Sequence, residues 1–352
     1  MDAGCGQPAP VGGAGHGGWR LGELTPLATA DGSIALVGGD DSGGSPLYLY
    51  RGEKGYRKGN FLERNGLAAG TLACFKADDD SIRTAEDFSG FFNTTTGSIV
   101  ELTNFNPAEA GNPGWDAQGY ATQANLETQS LDAGCFYFAR PEDVHNNPAR
   151  PTELVFAATG TKFKYMGSDV TADQWGTIYK VSLHFSSSTV TAGIKILHDA
   201  DALPIPDMGI RSPDNVTWAE DGAIYVQEDR SSPPGTFGAT TGAEASVWKL
   251  SPDSGDFARV VEMNRAAVAP AGSTDPVPAD IGNWESSGII DVTRYFKTDR
   301  DETLLLGVVQ AHSIKDGTIA AKGLVEGGQI IFLSREQEDG DDDRGNKYGR
   351  DD

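Results

Sequence analysis

The sequence predicts an all-β fold, a β-propeller of five or six blades or an incomplete one with long loop insertions, on three observations. Glycine occurs 45 times and proline 18 times in 352 residues, and no long amphipathic helical run is present. Short apolar segments of alternating polarity recur along the chain. Many of them open with a turn glycine followed closely by Ile or Leu, so each turn leads directly into a strand. A sandwich is the rival architecture, because no strict repeat of about 40 residues marks out the blades.

Residues 1–18 are Gly/Pro-rich and expected to be loose. Their formal G-x-G-x-x-G at Gly13, Gly15 and Gly18 follows no strand and opens no helical pattern, which rejects a dinucleotide site. The propeller domain is expected over residues 19–334. Its strands are read at Ile34–Gly38, Leu47–Tyr50, Thr71–Phe75, Ser98–Leu102, Leu154–Ala158, Thr177–Phe185, Gly193–Leu197, Ser246–Leu250, Phe257–Met263, Thr303–Val309 and Gln329–Leu333. Between them, Arg211–Arg230 forms a hairpin, with Val216, Trp218, Ile224 and Val226 alternating around an Asp221-Gly222 turn. Two long connections, Asn104–Ala133 and Arg265–Ser287, are the insertions, and Ala117–Leu131 has room for a short helix. From residue 335 the chain becomes a charged tail that can bury nothing and is expected to be disordered.

The 28 basic and 51 acidic side chains leave a net charge of −23. A surface this acidic excludes nucleic acid and anionic membranes as partners, and it admits a phosphorylated small molecule only if cations invert the local field. Cys5, Cys74 and Cys135 have no C-x-x-C spacing, so a zinc site is not indicated and one disulfide plus one thiol is the open alternative. No stretch of about 18 apolar residues suggests a membrane span, and the N-terminus has neither the basic start nor the apolar run of a signal peptide.

Acidic residues gather where strands begin and end. Asp214 and Asn215 stand before the first strand of the hairpin, and Glu228 and Asp229 follow the second, so all four meet at the mouth opposite the turn. They suit either one wall of an oxygen-ligand site of the calcium or magnesium kind or a capped turn with a solvated edge. Asp40 and Asp41 follow a strand and suit a turn or a metal ligand. Arg140 and Glu142 are two residues apart, so in an extended segment both face one side, either as a phosphate clamp beside a metal ligand or as a plain ion pair. Glu285 sits in a long loop beside the packing anchor Trp284, and His312 ends a strongly apolar strand as a ligand or a structural residue.

The stretches G-G-D-D-S-G-G-S-P-L-Y-L-Y-R-G-E-K (38–54), F-L-E-R-N-G-L (61–67), A-R-P-E-D-V-H-N-N-P (139–148), R-S-P-D-N-V-T-W (211–218), Y-V-Q-E-D-R-S (225–231), G-N-W-E-S-S-G-I-I-D-V (282–292) and V-Q-A-H-S-I (309–314) resemble, in order, the PhoX-type alkaline phosphatase family. The resemblance runs over about residues 16 to 334 and is nearest to the secreted cyanobacterial and marine bacterial branch. It implies a propeller whose central channel holds calcium and iron and hydrolyses phosphomonoesters outside the cytoplasm, in the periplasm or beyond. It further implies that Arg140 and Glu142 contribute to substrate and metal binding. Asp40, Asp41, Asp214, Asn215, Glu228 and Asp229 then lie at metal-binding strand ends, with Glu285 and His312 near the channel. The family's upstream Cys-Glu ligand pair has no counterpart here, so the calcium site is expected to survive better than an iron thiolate. The expected function is a calcium-dependent phosphoric ester hydrolase. Its rival is a non-catalytic, calcium-binding propeller with a structural or partner-binding role at the cell envelope.

Overall fold

The computed structural model describes residues 24–28, 33–55, 59–186, 189–231, 236–267, 272–296 and 302–334. The loose start expected over residues 1–18 and the acidic tail expected over 335–352 lie outside them. Alternating Val, Ile, Leu, Tyr and Phe side chains give each strand an apolar face, and every ladder between strands is antiparallel. The first seven strands are β1 (Leu24–Ala28), β2 (Ser33–Gly38), β3 (Tyr48–Glu53), β4 (Gly70–Ala77), β5 (Thr94–Leu102), β6 (Pro141–Asn146) and β7 (Glu153–Ala158). A short hairpin, β8 (Phe163–Tyr165) and β9 (Ser168–Val170), precedes the long pair β10 (Thr177–Phe185) and β11 (Val190–Asp199). Without that short hairpin these strands make one nine-stranded sheet in the order β1-β2-β3-β4-β5-β11-β10-β7-β6, curled until β6 lies beside β1 and β2.

Two blade-like meanders follow. One is β12 (Pro213–Trp218), β13 (Ile224–Glu228), β14 (Ser246–Leu250) and β15 (Phe257–Glu262). The other is β16 (Trp284–Asp291), β17 (Leu304–Ala311) and β18 (Gly327–Ser334). The all-β expectation holds, with one large, nearly closed sheet and two smaller meanders among the described residues. No helix among the described residues is long and apolar enough to cross a membrane.

β7 shows how the layers join. Leu154, Phe156 and Ala158 point into the curled sheet with Phe75, Phe138 and Tyr179, while Val155 and Ala157 point out to Ile178, Val216, Trp218 and Ile224. A strand covered on both faces needs an unbroken apolar run, which is why this one reads L-V-F-A-A. Phe156 stacks on Tyr179 with ring centroids 4.9 Å apart. A disulfide between Cys74 and Cys135 ties β4 to the segment after α2 (Gln123–Ala133). That helix starts on the Thr122 side chain, which accepts from the Asn125 N–H, and it stops at Gly134 with φ 74°. It lies slightly later than the 117–131 window because Gly114, Gly119 and the turns around them occupy the earlier residues.

Five strands were not read from the sequence, β1, β6, β8, β9 and β16, and two of them carry residues of the candidate site. β6 opens with proline and carries Glu142, Asp143 and His145, while β16 opens W-E-S-S-G, so neither shows apolar alternation. Their polar side chains have fixed partners, as described below, which removes the usual reason to keep such residues out of a strand. Glu285 therefore stands on β16, opposite Gln310, and not in a loop; Asp214 and Asn215 likewise lie inside β12.

Arg211, directly before β12, is 0% exposed and binds three segments together. Its guanidinium donates to Glu228 (3.0 and 2.7 Å), to Asp207 (3.2 Å) and to the carbonyls of Ala243 (3.1 Å) and Glu244 (2.9 Å), and it lies 3.7 Å over the Phe237 ring. Replacing Arg211 by Ala leaves Glu228 buried without its partner, and a loss of about 3–5 kcal/mol in urea unfolding is expected. The double change Arg211→Met, Glu228→Met should cost less than the single one; a single variant as stable as wild type would contradict this role.

His198 gives the fold a pH dependence. Its Nε2 accepts the Ile210 N–H at 3.0 Å, and the ring packs edge-on to Phe91 and Phe257. Burial lowers its pKa from 6.5 to about 4. A depressed histidine is neutral when folded and takes up a proton when unfolded, so its contribution is intact above pH 6.5 and is lost as pH falls toward 4. Over that window it removes about 1.4 kcal/mol per pH unit. Unfolding free energies measured between those limits should fall less steeply in His198→Asn than in wild type.

Candidate active site

Two strands enter the site through the same local structure. Arg140-Pro141-Glu142-Asp143-Val144 opens β6, and Ser212-Pro213-Asp214-Asn215-Val216 opens β12. The residue before each proline is left-handed, with φ 58° at Arg140 and 43° at Ser212. Each ladder then slips: Pro141 faces Ala158 and Val144 faces Phe156, while Pro213 faces Glu228 and Val216 faces Val226. Three residues on one strand oppose two on the other, a β-bulge. Proline disfavours the right-handed helical region for the residue before it, and a left-handed L-residue costs roughly 1–2 kcal/mol. Matching hydrogen bonds hold both places, from the Thr159 N–H to the Arg140 carbonyl and from the Asp229 N–H to the Ser212 carbonyl, each 3.0 Å.

The bulge divides each polar pair. Glu142 and Asp214 turn to the common end of the strands, while Asp143 and Asn215 reach sideways to the next unit. Asp143 accepts the Val216 N–H at the bulge of β12 (2.8 Å), and Asn215 accepts the Gly288 N–H at the bulge of β16 (2.7 Å). Gly288 has φ 63°, where a side chain would be strained.

At the common end the side chains form two hydrogen-bonded series that face each other electrostatically through Asp214 and Asp229. Gly39 approaches β6 so closely that a Cβ would stand 2.1 Å from the Pro141 carbonyl, and this contact brings Asp41 to Arg140. Arg140 Nε donates to Asp41 at 2.6 Å, and its Nη2 lies 3.5 Å from Glu142. Glu142 accepts from the Thr159 hydroxyl at 2.7 Å and shares a hydrogen bond with Asp214. Asp229 shares one with Glu285, and His312 joins Glu285 (3.0 Å) to Glu326 (2.7 Å).

The electrostatics follow from burial and mutual repulsion. Burial and the adjacent Glu142 push Asp214 well above the carboxylate range, and burial with Glu285 pushes Asp229 up to about 8. Glu285 is lowered, because the hydrogen bonds from His312 and Asp229 outweigh its burial. His312 is raised to about 9, chiefly by Glu285, so at neutral pH it carries its proton. The four central carboxyls therefore stand as two pairs, in which Asp214 and Asp229 hold a proton more tightly than an ordinary carboxyl.

The structure thus brings together Asp41, Arg140, Glu142, Asp214, Asp229, Glu285 and His312. It directs Asp40, Asn215 and Glu228 elsewhere, because each is held by other partners. Asp40 is buried among Ser42, Ser45 and Gln123, Asn215 holds Gly288, and Glu228 is committed to Arg211. Thr159 and Glu326 were missed, since an Ala-Thr-Gly turn and a Val-Glu-Gly-Gly turn carry no distinctive signal.

Among the described residues no three His, Cys, Asp or Glu groups converge closely enough to hold a metal ion as they stand. The donor chemistry nevertheless fits a hard cation: apart from Arg140 and His312 the groups are carboxyl and hydroxyl oxygens, and the two carboxyl pairs could exchange their protons for a cation. It offers no thiolate, because Cys74 and Cys135 are joined to each other and Cys5 lies outside the described residues.

No curated protein matches this chain. Among solved structures, Pseudomonas fluorescens PhoX in complex with vanadate, a transition state analogue, matches with a TM-score of 0.55 at 17% identity, covering 90% of this chain and 53% of that one. This chain therefore spans about half the length of that relative, and the likeness is one of fold. The family model for alkaline phosphatase PhoX matches residues 25–280, a span that contains both Pro-led bulges, Arg140 and the acidic pairs up to Asp229; the chain belongs to the PhoX alkaline phosphatase family.

Proposed function

We propose that this chain is a metal-dependent phosphoric ester hydrolase acting on phosphorylated small molecules. One observation carries the reading: Arg140, a guanidinium anchored on Asp41, stands beside Glu142 at the edge of a cluster of four carboxyls. An anion-binding fork beside cation-seeking oxygens is what a phosphoryl group bridging protein and metal requires. Family membership supports it, as does the vanadate held by the Pseudomonas relative, an oxyanion that mimics phosphoryl transfer.

In this reading Glu142, Asp214, Asp229 and Glu285 hold calcium. When bound, the ion supplies Lewis-acid stabilisation of phosphoryl charge. Arg140 binds and orients the phosphoryl group through the N–H donors it does not spend on Asp41. Thr159 fixes one oxygen of Glu142, and His312 fixes Glu285. A location outside the cytoplasm is supported by the Cys74–Cys135 disulfide, which persists in oxidising compartments.

Hydrolysis of p-nitrophenyl phosphate should be measured at alkaline pH with calcium, after chelation, and after calcium is restored. Activity should disappear with the chelator and return with the ion. Glu142→Gln should lower calcium affinity and lower kcat by about 10²-fold or more, whereas Glu101→Gln, an exposed residue of β5, should change neither. A folded protein without activity in every condition would favour the non-catalytic, calcium-binding reading. Equal losses in the two variants would sink the site assignment.

A further inference from the structure

The third sheet ends on an unguarded edge. An edge strand offers a row of free N–H and C=O groups, and proteins blunt such edges with proline, charged side chains or bulges. Among the described residues, the other end strands of the three larger sheets each carry one of these: Pro26 in β1, Pro141 in β6, Pro213 in β12, Arg259 in β15, and Glu285 with a bulge in β16. β18, the last strand of its sheet, reads G-G-Q-I-I-F-L-S. It has no charge and no proline, and all eight residues pair with β17 without a shift of register.

The face beside this edge is apolar as well. The register sets Ile290, Leu306 and Phe332 in one row across the three strands and Val308 and Ile330 in the next. This is the face opposite Leu305 and Leu333, which pack toward the β12–β15 meander. Phe296 lies edge-on to Phe332, with ring centroids 5.3 Å apart. Ile330 is 70% exposed, Phe332 55%, Phe296 50% and Ile290 45%. Together they leave roughly 400 Å² of apolar side chain in one patch, a size that on a monomer marks an interaction site.

We propose that β18 is the interface of a homodimer, pairing antiparallel with β18 of a second copy about a two-fold axis at Ile331. The pattern of the strand selects a copy of itself. β18 is neutral in a chain of net charge −23, so it offers no charge by which a different partner would be recognised. An axis at Ile331 sets Ile330 opposite the partner's Phe332 and Phe332 opposite the partner's Ile330, two aromatic–β-branched pairs on the exposed face. The backbone of an eight-residue strand adds an area comparable to the patch, which brings each copy near the ~800 Å² that a standard interface buries. Isologous pairing uses both free edges at once, so assembly stops at two copies. The antiparallel direction also keeps the two Ser334 ends apart, and the sequence that follows each is strongly acidic. The remaining repulsion between like-charged chains is screened by salt, so the dimer tightens as ionic strength rises. The inference does not rest on the hydrolase reading, and it stands or falls separately.

Sedimentation equilibrium on the full chain should show a monomer–dimer equilibrium that moves toward dimer with protein concentration and with added sodium chloride. Ile330→Glu and Phe332→Glu, both at exposed positions, should each weaken dimerisation by about tenfold or more. Val260→Glu, exposed on the charge-guarded edge β15, should leave it unchanged. Hydrogen exchange locates the contact: the amides of β18 should exchange more slowly as protein concentration rises, and those of β15 should not. A chain that stays monomeric at every concentration and salt overturns the proposal. So does a dimer that both Glu variants retain, or one that forms without slowing exchange in β18, since another surface would then hold it. Should neither Glu variant fold, the exchange measurement on the unaltered chain decides the matter.

Discussion

The site depends on a backbone constraint more than on any single contact: a left-handed residue followed by proline at the start of β6 and again at the start of β12. Without the bulge that follows, the pleat would place consecutive polar residues without regard to the neighbouring unit. With it, Glu142 and Asp214 reach the shared end while Asp143 and Asn215 fasten the next strand. One local geometry therefore both builds the carboxyl cluster and fixes the spacing of the units that carry it. Its strain is local, and hydrogen bonds to the Arg140 and Ser212 carbonyls hold it in place.

The cluster works against folding, and its surroundings show how this is offset. Burial first, and then the neighbouring carboxyls, raise Asp214 and Asp229, while the hydrogen bond to Glu285 raises His312. Arg140 and His312 close the two ends of the series. Behind it, the buried Arg211 neutralises Glu228, so the acidic residue next to Asp229 adds structure and not further charge. A net charge of −23 makes such local compensation necessary, because the rest of the surface gives no relief.

Strands covered by apolar neighbours were legible in the sequence. Leu154–Ala158 and Thr177–Phe185 announce themselves through continuous or alternating hydrophobic side chains, and the Asp221-Gly222 hairpin through its turn. β6 and β16 were not, because their polar residues are satisfied by partners on other strands, a fact held only in the tertiary structure. For the site, the acidic pairs at strand ends were legible, but not which member of each pair would face inward. For Asp214 and Asn215 the choice is set by the bulge of β12, which cannot be read from residue type alone; for Asp40 and Asp41 it is set by tertiary partners, Ser45 and Gln123 for the first and Arg140 for the second. Ser212-Pro213 matching Arg140-Pro141 was the available clue, since two Pro-led acidic pairs followed by Val mark equivalent positions in successive units.

The cluster also carries its own cations near its two ends, Arg140 bound to Asp41 beside Glu142, and His312 between Glu285 and Glu326. Each central carboxyl has a neighbour with which a proton can be shared, Asp214 with Glu142 and Asp229 with Glu285. Repulsion among the four is therefore relieved inside the cluster, so the strands that carry it can pack without a bound cation, and a cation that enters has protons to displace and no ion pair of the core to break.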